Sequence, residues 1–259
     1  MALNPKIENW RGRSVWIVGA SSGIGWALAH DLFERGAKVA VSARQAAKLD
    51  EFVRSHPHAL AAPLDVLQAD SVQAASLAVA AHQGLDVVIY CAGHYLAQDA
   101  KAYDEAQMVL HQEVNYLGAV RLLASVLPVL QAQGFGHLSL ISSVAGYRGL
   151  PKSLAYGPTK AALTHLAECL YMDLHELGIG VSAVLPGFVS TPLTAQNTFE
   201  MPALITPEVA AIAIIRAYAK GEFEIHFPKR FTRVLKILRC LPYAWYFPLV
   251  RRLTQGART

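Results

Sequence analysis

The sequence predicts an α/β fold, a doubly wound parallel sheet in a three-layer α/β/α arrangement, on two observations. Strand-like runs alternate with helical ones along the whole chain, and no repeat, low-complexity stretch or linker interrupts them. The 259 residues, 53% hydrophobic and 16% charged, are enough for one sizeable core without disordered segments. The expected order is strand 14–18, helix 24–35, strand 38–42, helix 45–55, strand 59–64, helix 70–82, strand 86–90 and helices over 104–132. Strand 138–141, helix 157–177, strand 181–185, helix 207–220 and strand 223–227 complete it. One domain is expected over 1–228, with 187–206 as a lid and 229–259 as a basic extension.

The apolar strand Ser-Val-Trp-Ile-Val (14–18) runs directly into Gly19-Ala-Ser-Ser-Gly23-Ile-Gly25, and a helical pattern follows at once. Glycines let the backbone turn tightly and approach a pyrophosphate, and a helix N-terminus offers free N–H groups and a positive dipole end. The spacing Gly-x-x-x-Gly-x-Gly differs from the commonest dinucleotide fingerprint, so the turn alone is only moderate support. Further on, Tyr156-Gly-Pro-Thr-Lys160 has Ser143 thirteen positions upstream. Residues four apart share a helix face, so Lys160 is expected to lower the Tyr156 pKa, which at about 10 is otherwise too high for acid/base work near neutrality. Pro158 between them is tolerated only in a first turn, which places the pair at a helix start. Adjacent Ser142 and Ser143 leave the register of the hydroxyl partner open on residue type alone.

These segments resemble the short-chain dehydrogenase/reductase family, a Rossmann-type fold whose glycine pattern and Tyr-x-x-x-Lys helix are those just quoted. The likeness continues through Leu64-Asp65-Val66, Cys91-Ala92-Gly93, Asn115, Ile141-Ser142-Ser143 and Pro186-Gly187, nearly the whole chain. It implies a catalytic set of Asn115, Ser143, Tyr156 and Lys160, the thirteen-residue offset selecting Ser143. Tyr156 would exchange a proton with the substrate oxygen and Ser143 would orient that oxygen. Lys160 would bind the nicotinamide ribose, and Asn115 would hold a proton-relaying water. The cofactor would lie on Gly19, Ser21, Ser22, Gly23, Ile24 and Gly25, with Asp65 and Val66 at the adenine and Ala92 and Gly93 along its length. Pro186, Gly187, Val189 and Thr191 would cover the carboxamide. Where the family has Asn-Asn-Ala-Gly this chain has Tyr90-Cys91-Ala92-Gly93, which puts the bracing of the neighbouring strands in doubt.

The second strand ends in Ala43-Arg44 with no acidic residue, and a guanidinium there can pair with a 2′-phosphate. NADP(H) is therefore the expected cofactor, the alternative being a solvated Arg44 with little cofactor preference. Leu193, Phe199, Met201, Pro202 and Leu204 suggest an apolar lid or a loop packed on the core. The expected activity is interconversion of a carbonyl and an alcohol on a lipophilic substrate; the alternative is a dinucleotide-binding sensor without turnover.

Cys91, Cys169 and Cys240 form no disulfide framework or metal spacing, and the ten histidines offer no ligand motif. The start of the chain lacks the apolar run of a secretory signal, so cytoplasmic residence is the default. Net charge is +4, yet no acidic residue follows Glu224, and eight cations do: Lys229, Arg230, Arg233, Lys236, Arg239, Arg251, Arg252 and Arg258. Residues 229–254 interleave them with Leu, Trp, Tyr and Phe in apolar runs too short to cross a bilayer. Such a segment suits the anionic inner face of a membrane, or else forms terminal helices packed on the protein or another subunit. No nucleic-acid motif accompanies the cations. The resemblance also implies a homodimer or homotetramer through the Tyr-bearing helix and its neighbour.

Overall fold

The computed structural model describes residues 2–197 and 200–255. Seven parallel strands form one sheet: β1 (Ser14–Val18), β2 (Lys38–Ser42), β3 (Leu60–Ala61), β4 (Val87–Tyr90), β5 (Gly136–Ile141), β6 (Ile179–Pro186) and β7 (Glu224–Phe227). Their spatial order is β3-β2-β1-β4-β5-β6-β7, so the winding direction reverses between β1 and β4. In such sheets the crevice beyond the strand C-termini at this reversal is the general ligand position.

Helices α1 (Gly23–Glu34), α2 (Ala46–Ser55), α3 (Ala69–Gln83), α4 (Glu105–Gln112), α5 (Gly118–Gln133), α6 (Tyr156–Leu174) and α7 (Pro207–Lys220) cover the sheet. Strand side chains alternate between two apolar layers. Val15 and Ile17 join α1, α2 and α7 on one face; Trp16 and Val18 join α3, α5 and α6 on the other. Both layers are apolar because both faces of a parallel sheet are covered.

Strand 59–64 is shorter than the sequence suggests. Only Leu60 and Ala61 pair in register with β2, although Ala62 and Leu64 still donate to Val41 and Ala43. Pro63, between them, has no N–H to contribute, which confines this segment to an irregular edge. The helical span expected at 104–132 is continuous but changes pitch: a π-helical turn, Glu113–Leu117, joins α4 to α5.

That turn explains how the chain manages without the family's paired asparagines. Tyr90 is fully buried, and its hydroxyl donates to the Val114 carbonyl at 2.5 Å inside the π turn. The phenol fits because residue 118 is glycine: a Cβ there would overlap the Tyr90 oxygen and come within 3.0 Å of Val66. One aromatic ring thus braces β4 against the helix that carries Asn115. Gly118→Ala should cost about 1–3 kcal/mol by forcing this packed ring aside, read as a lower midpoint in urea denaturation; an unchanged midpoint would refute the brace.

Candidate active site

The cleft at the reversal point encloses about 250 Å³. Its floor is the turn from β1 into α1. Gly19 has a φ of +97°, and a Cβ on it would overlap the Ala92 backbone, so only glycine lets the two turns touch. Gly23 has a φ of +58° and faces Thr191. Ser22 caps α1 in an extended conformation without spending its hydroxyl, and no acidic residue lies in the first turn. The helix therefore presents unneutralised N–H groups to the cleft, as an anionic ligand requires. Gly25 does not line the cleft; it is buried where a Cβ would overlap the Gly19 carbonyl, so it sets how closely α1 packs.

Ser21, Ser22, Gly23 and Ile24 line this floor, and Arg44 stands at its rim, exposed and without a hydrogen bond or ion pair to a described residue. Asp65 and Val66 form one wall, the Asp65 carboxylate accepting from the Leu67 N–H at 3.0 Å. Ala92 and Gly93 continue it, and Pro186, Gly187, Val189 and Thr191 close the far side. Val189 bridges to Ile205, and Thr194 ties the Thr191 turn by donating to the Val189 carbonyl at 2.6 Å.

Ser143, Tyr156 and Lys160 converge at the end of β5. Tyr156 is the first residue of α6, so Pro158 falls in the first turn as its chemistry demands. The two serines differ in their partners. The Ser142 hydroxyl donates to the Lys160 carbonyl at 2.7 Å and also meets Thr164, which makes it structural. Ser143 instead accepts from the Ala145 N–H at 3.1 Å and lines the cleft with Tyr156, whose pKa its hydroxyl lowers. Lys160 donates from Nζ to the Ile141 carbonyl at 2.8 Å, with its ammonium 5.4 Å from the Tyr156 ring centroid. Asn115 does not line the cleft: its amide accepts from the His94 N–H and donates to the His94 carbonyl and to Thr159. Thr159 donates in turn to the Tyr156 carbonyl at 2.7 Å, so this side chain braces the loop after β4 against the start of α6.

One expectation is corrected here. Burial dominates Tyr156 and pushes its pKa up; the Ser143 hydroxyl opposes that, and Lys160 is not among the groups that shift it. Desolvation acts on the lysine as well, pushing it down to about 8. Desolvation is thus the leading influence on both groups and penalises the charged form of each. Cys91, beside them, is held as a thiol by burial, at about 11, which fits an inert role.

Three features escaped sequence reasoning. Tyr95 stacks edge-on against Tyr156 at 5.0 Å and donates to Asn197 of the lid at 2.9 Å, joining lid and catalytic ring. His94 supplies the backbone groups that hold Asn115. His30, Glu34 and His56 bring their ligand atoms within 4.8 Å of one another, although none lines the cleft, and the two imidazoles are hydrogen-bonded at 2.7 Å. The lid is less apolar toward the cleft than expected: Leu193 lines it, whereas Pro202 and Leu204 are exposed and Phe199 lies outside the described residues.

Fold and cleft together define an oxidoreductase of the dinucleotide-binding α/β class. The family model described as short chain dehydrogenase matches residues 13–201, and the chain belongs to that family. An uncharacterized oxidoreductase of Myxococcus xanthus is 33% identical over 93% of this chain and 97% of its own. One from Staphylococcus epidermidis is 31% identical over 78% and 88%. Among solved structures, a short chain dehydrogenase from Burkholderia cenocepacia in complex with NADP superposes over the full length of both chains with a TM-score of 0.79 at 23% identity, a likeness of fold. A short-chain dehydrogenase from Streptomyces avermitilis covers 95% of this chain and 100% of its own with a TM-score of 0.77 at 26% identity.

Because Lys160 has a folded pKa near 8 against 10.5 for the free side chain, its burial penalty is full below pH 8 and disappears as the pH rises toward 10.5. Wild type should therefore gain stability relative to Lys160→Met between pH 7.5 and pH 10. Urea melts at the two pH values measure this, and a difference independent of pH would contradict it.

Proposed function

We propose that this chain is an NADP(H)-dependent reductase that interconverts a carbonyl and an alcohol on a lipophilic substrate, with Tyr156 as general acid. The observation that carries the reading is the convergence of Ser143, half-buried Tyr156 and buried Lys160 in the cleft floored by the β1–α1 turn. The residues present fit a dinucleotide: a glycine cradle that a Cβ would fill, an uncapped helix N-terminus and a free guanidinium at the rim.

When bound, the reduced nicotinamide supplies a hydride to the carbonyl carbon. Tyr156 supplies the matching proton from its hydroxyl to the carbonyl oxygen, so hydride and proton together yield the alcohol. A phenol whose pKa is raised by burial is fully protonated at neutral pH, which favours the reductive direction. Ser143 orients the same oxygen through its hydroxyl. Lys160 spends one N–H on Ile141 and keeps two that would bind the ribose hydroxyls. Tyr95, edge-on to Tyr156 and bonded to Asn197, links the phenol to the lid. Leu193, Val189 and Ile141 give the cleft the apolar wall that a lipophilic substrate needs.

NADPH oxidation against ketones and aldehydes of increasing chain length tests the activity. Tyr156→Phe should lower kcat by about 10²–10⁴-fold while leaving NADPH affinity intact; full activity in this variant would overturn the acid assignment. Arg44→Ala should weaken NADPH about 10–100-fold, the worth of a charge-assisted hydrogen bond, with little effect on NADH. Equal losses for both cofactors in a titration would remove the 2′-phosphate role.

A further inference from the structure

The segment after β7 folds into two helices, α8 (Lys229–Arg239) and α9 (Tyr243–Gln255), and their outer side is unlike the rest of the surface. The inner side is fastened to the body. Thr232 is buried and bonded to His226, Tyr246 is buried with its hydroxyl donating to the Gly149 carbonyl at 3.0 Å, and Val250 is buried too. Arg148 clamps the corner between the helices: its guanidinium lies 4.2 Å from the ring centroids of both Tyr243 and Tyr246 and donates to the carbonyls of Leu238, Arg239 and Leu241. The outer side is therefore held in place.

That outer side exposes large apolar groups: Val234 at 53%, Ile237 at 68%, Trp245 at 68%, Phe247 at 52% and Leu253 at 60%. Scattered single hydrophobes are ordinary on a monomer, whereas here five large ones fall on two consecutive helices among unpaired cations, the composition of a contact surface. The cations among them are mostly unanswered. Lys229 and Lys236 pair with Glu222 and Glu224. Arg230, Arg233, Arg251 and Arg252 are exposed and form no ion pair with a described residue. Arg230, Val234 and Ile237 follow helical spacing, so charge and apolar groups share the outward stripe of α8.

We propose that the α8–α9 hairpin docks this protein on an anionic lipid surface, with Trp245 and Phe247 seated at headgroup level and the four free arginines against the lipid phosphates. Charge complementarity selects this occupant. A second copy meeting the hairpin about a two-fold axis would press arginines against arginines, and the chain has no acidic residue after Glu224 to answer them. Thirteen residues of α9 span about 20 Å, less than a bilayer core of about 30 Å, so the hairpin lies along the surface and does not cross it. Phe231 of α8 also packs against Gly187 and Phe188 at the stem of the lid, so the docking element and the cleft mouth touch.

Co-flotation of the full chain with vesicles of phosphatidylcholine, alone or mixed with phosphatidylglycerol, tests the docking independently of turnover. Binding is expected only to the mixed vesicles and should weaken in high salt. Each removed arginine should cost about fivefold in partitioning, so Arg251→Gln with Arg252→Gln should weaken it about 25-fold; both positions are exposed, and circular dichroism checks that the variant folds. Trp10 and Trp16 are buried and Trp26 partly so, which makes Trp245 the reporter: its emission should shift to shorter wavelength on the mixed vesicles, and the shift should vanish in Trp245→Phe. Absence of flotation with the mixed vesicles would overturn the proposal. So would self-association abolished by the same arginine substitutions without vesicle binding, which would assign the face to a second copy.

Discussion

The docking of the start of α6 against the end of β5 is the constraint on which the active cleft depends. The Lys160 ammonium reaches the Ile141 carbonyl, the Ser142 hydroxyl reaches the Lys160 carbonyl, and Gly146 lies so close that a Cβ would come within 2.7 Å of the Lys160 carbonyl carbon. These contacts are made by backbone and by side chains next to the chemical ones. Their effect is to bring Ser143 and Tyr156 together before any ligand arrives. The relative position of the two hydroxyls is thus set by folding, a geometric preorganisation of the cleft.

The same burial sets the electrostatic character of the cleft. Tyr156, Lys160 and Cys91 all lose water, and in each the charged form is the one penalised. The result is a low-dielectric pocket with a proton donor, a lysine able to titrate near 8 and a silent thiol. Around it the Asn115 amide links the loop after β4 to α6, while Tyr90 holds the π turn in which Asn115 sits.

Much of this was legible in the sequence because the relevant residues are either contiguous or periodic. Gly19, Gly23 and Gly25 announce a turn because their spacing is local, and Pro158 fixed the helix start because proline has one tolerated position. The alternation of strands and helices gave the sheet for the same reason. What stayed hidden depends on packing between segments far apart in the chain. Neither Tyr90 filling the space over Gly118 nor Tyr95 linking Tyr156 to Asn197 leaves any spacing to read. The sign of the shift on Tyr156 was missed because desolvation is a property of the folded surroundings and not of the Tyr-x-x-x-Lys motif. The shorter β3 stayed hidden because its pairing depends on the strand beside it, and only Leu60 and Ala61 keep register with β2.

Arg148 gives the molecule a mechanical linkage. Four residues separate it from Ser143, and the stretch between is pinned by the turn at Val144–Gly146 and by Tyr147 donating to Glu224 at 2.7 Å. A link this short has almost no slack. Displacement of the terminal helices would therefore pull on Ser143 in the cleft wall, which couples the terminal hairpin mechanically to the site.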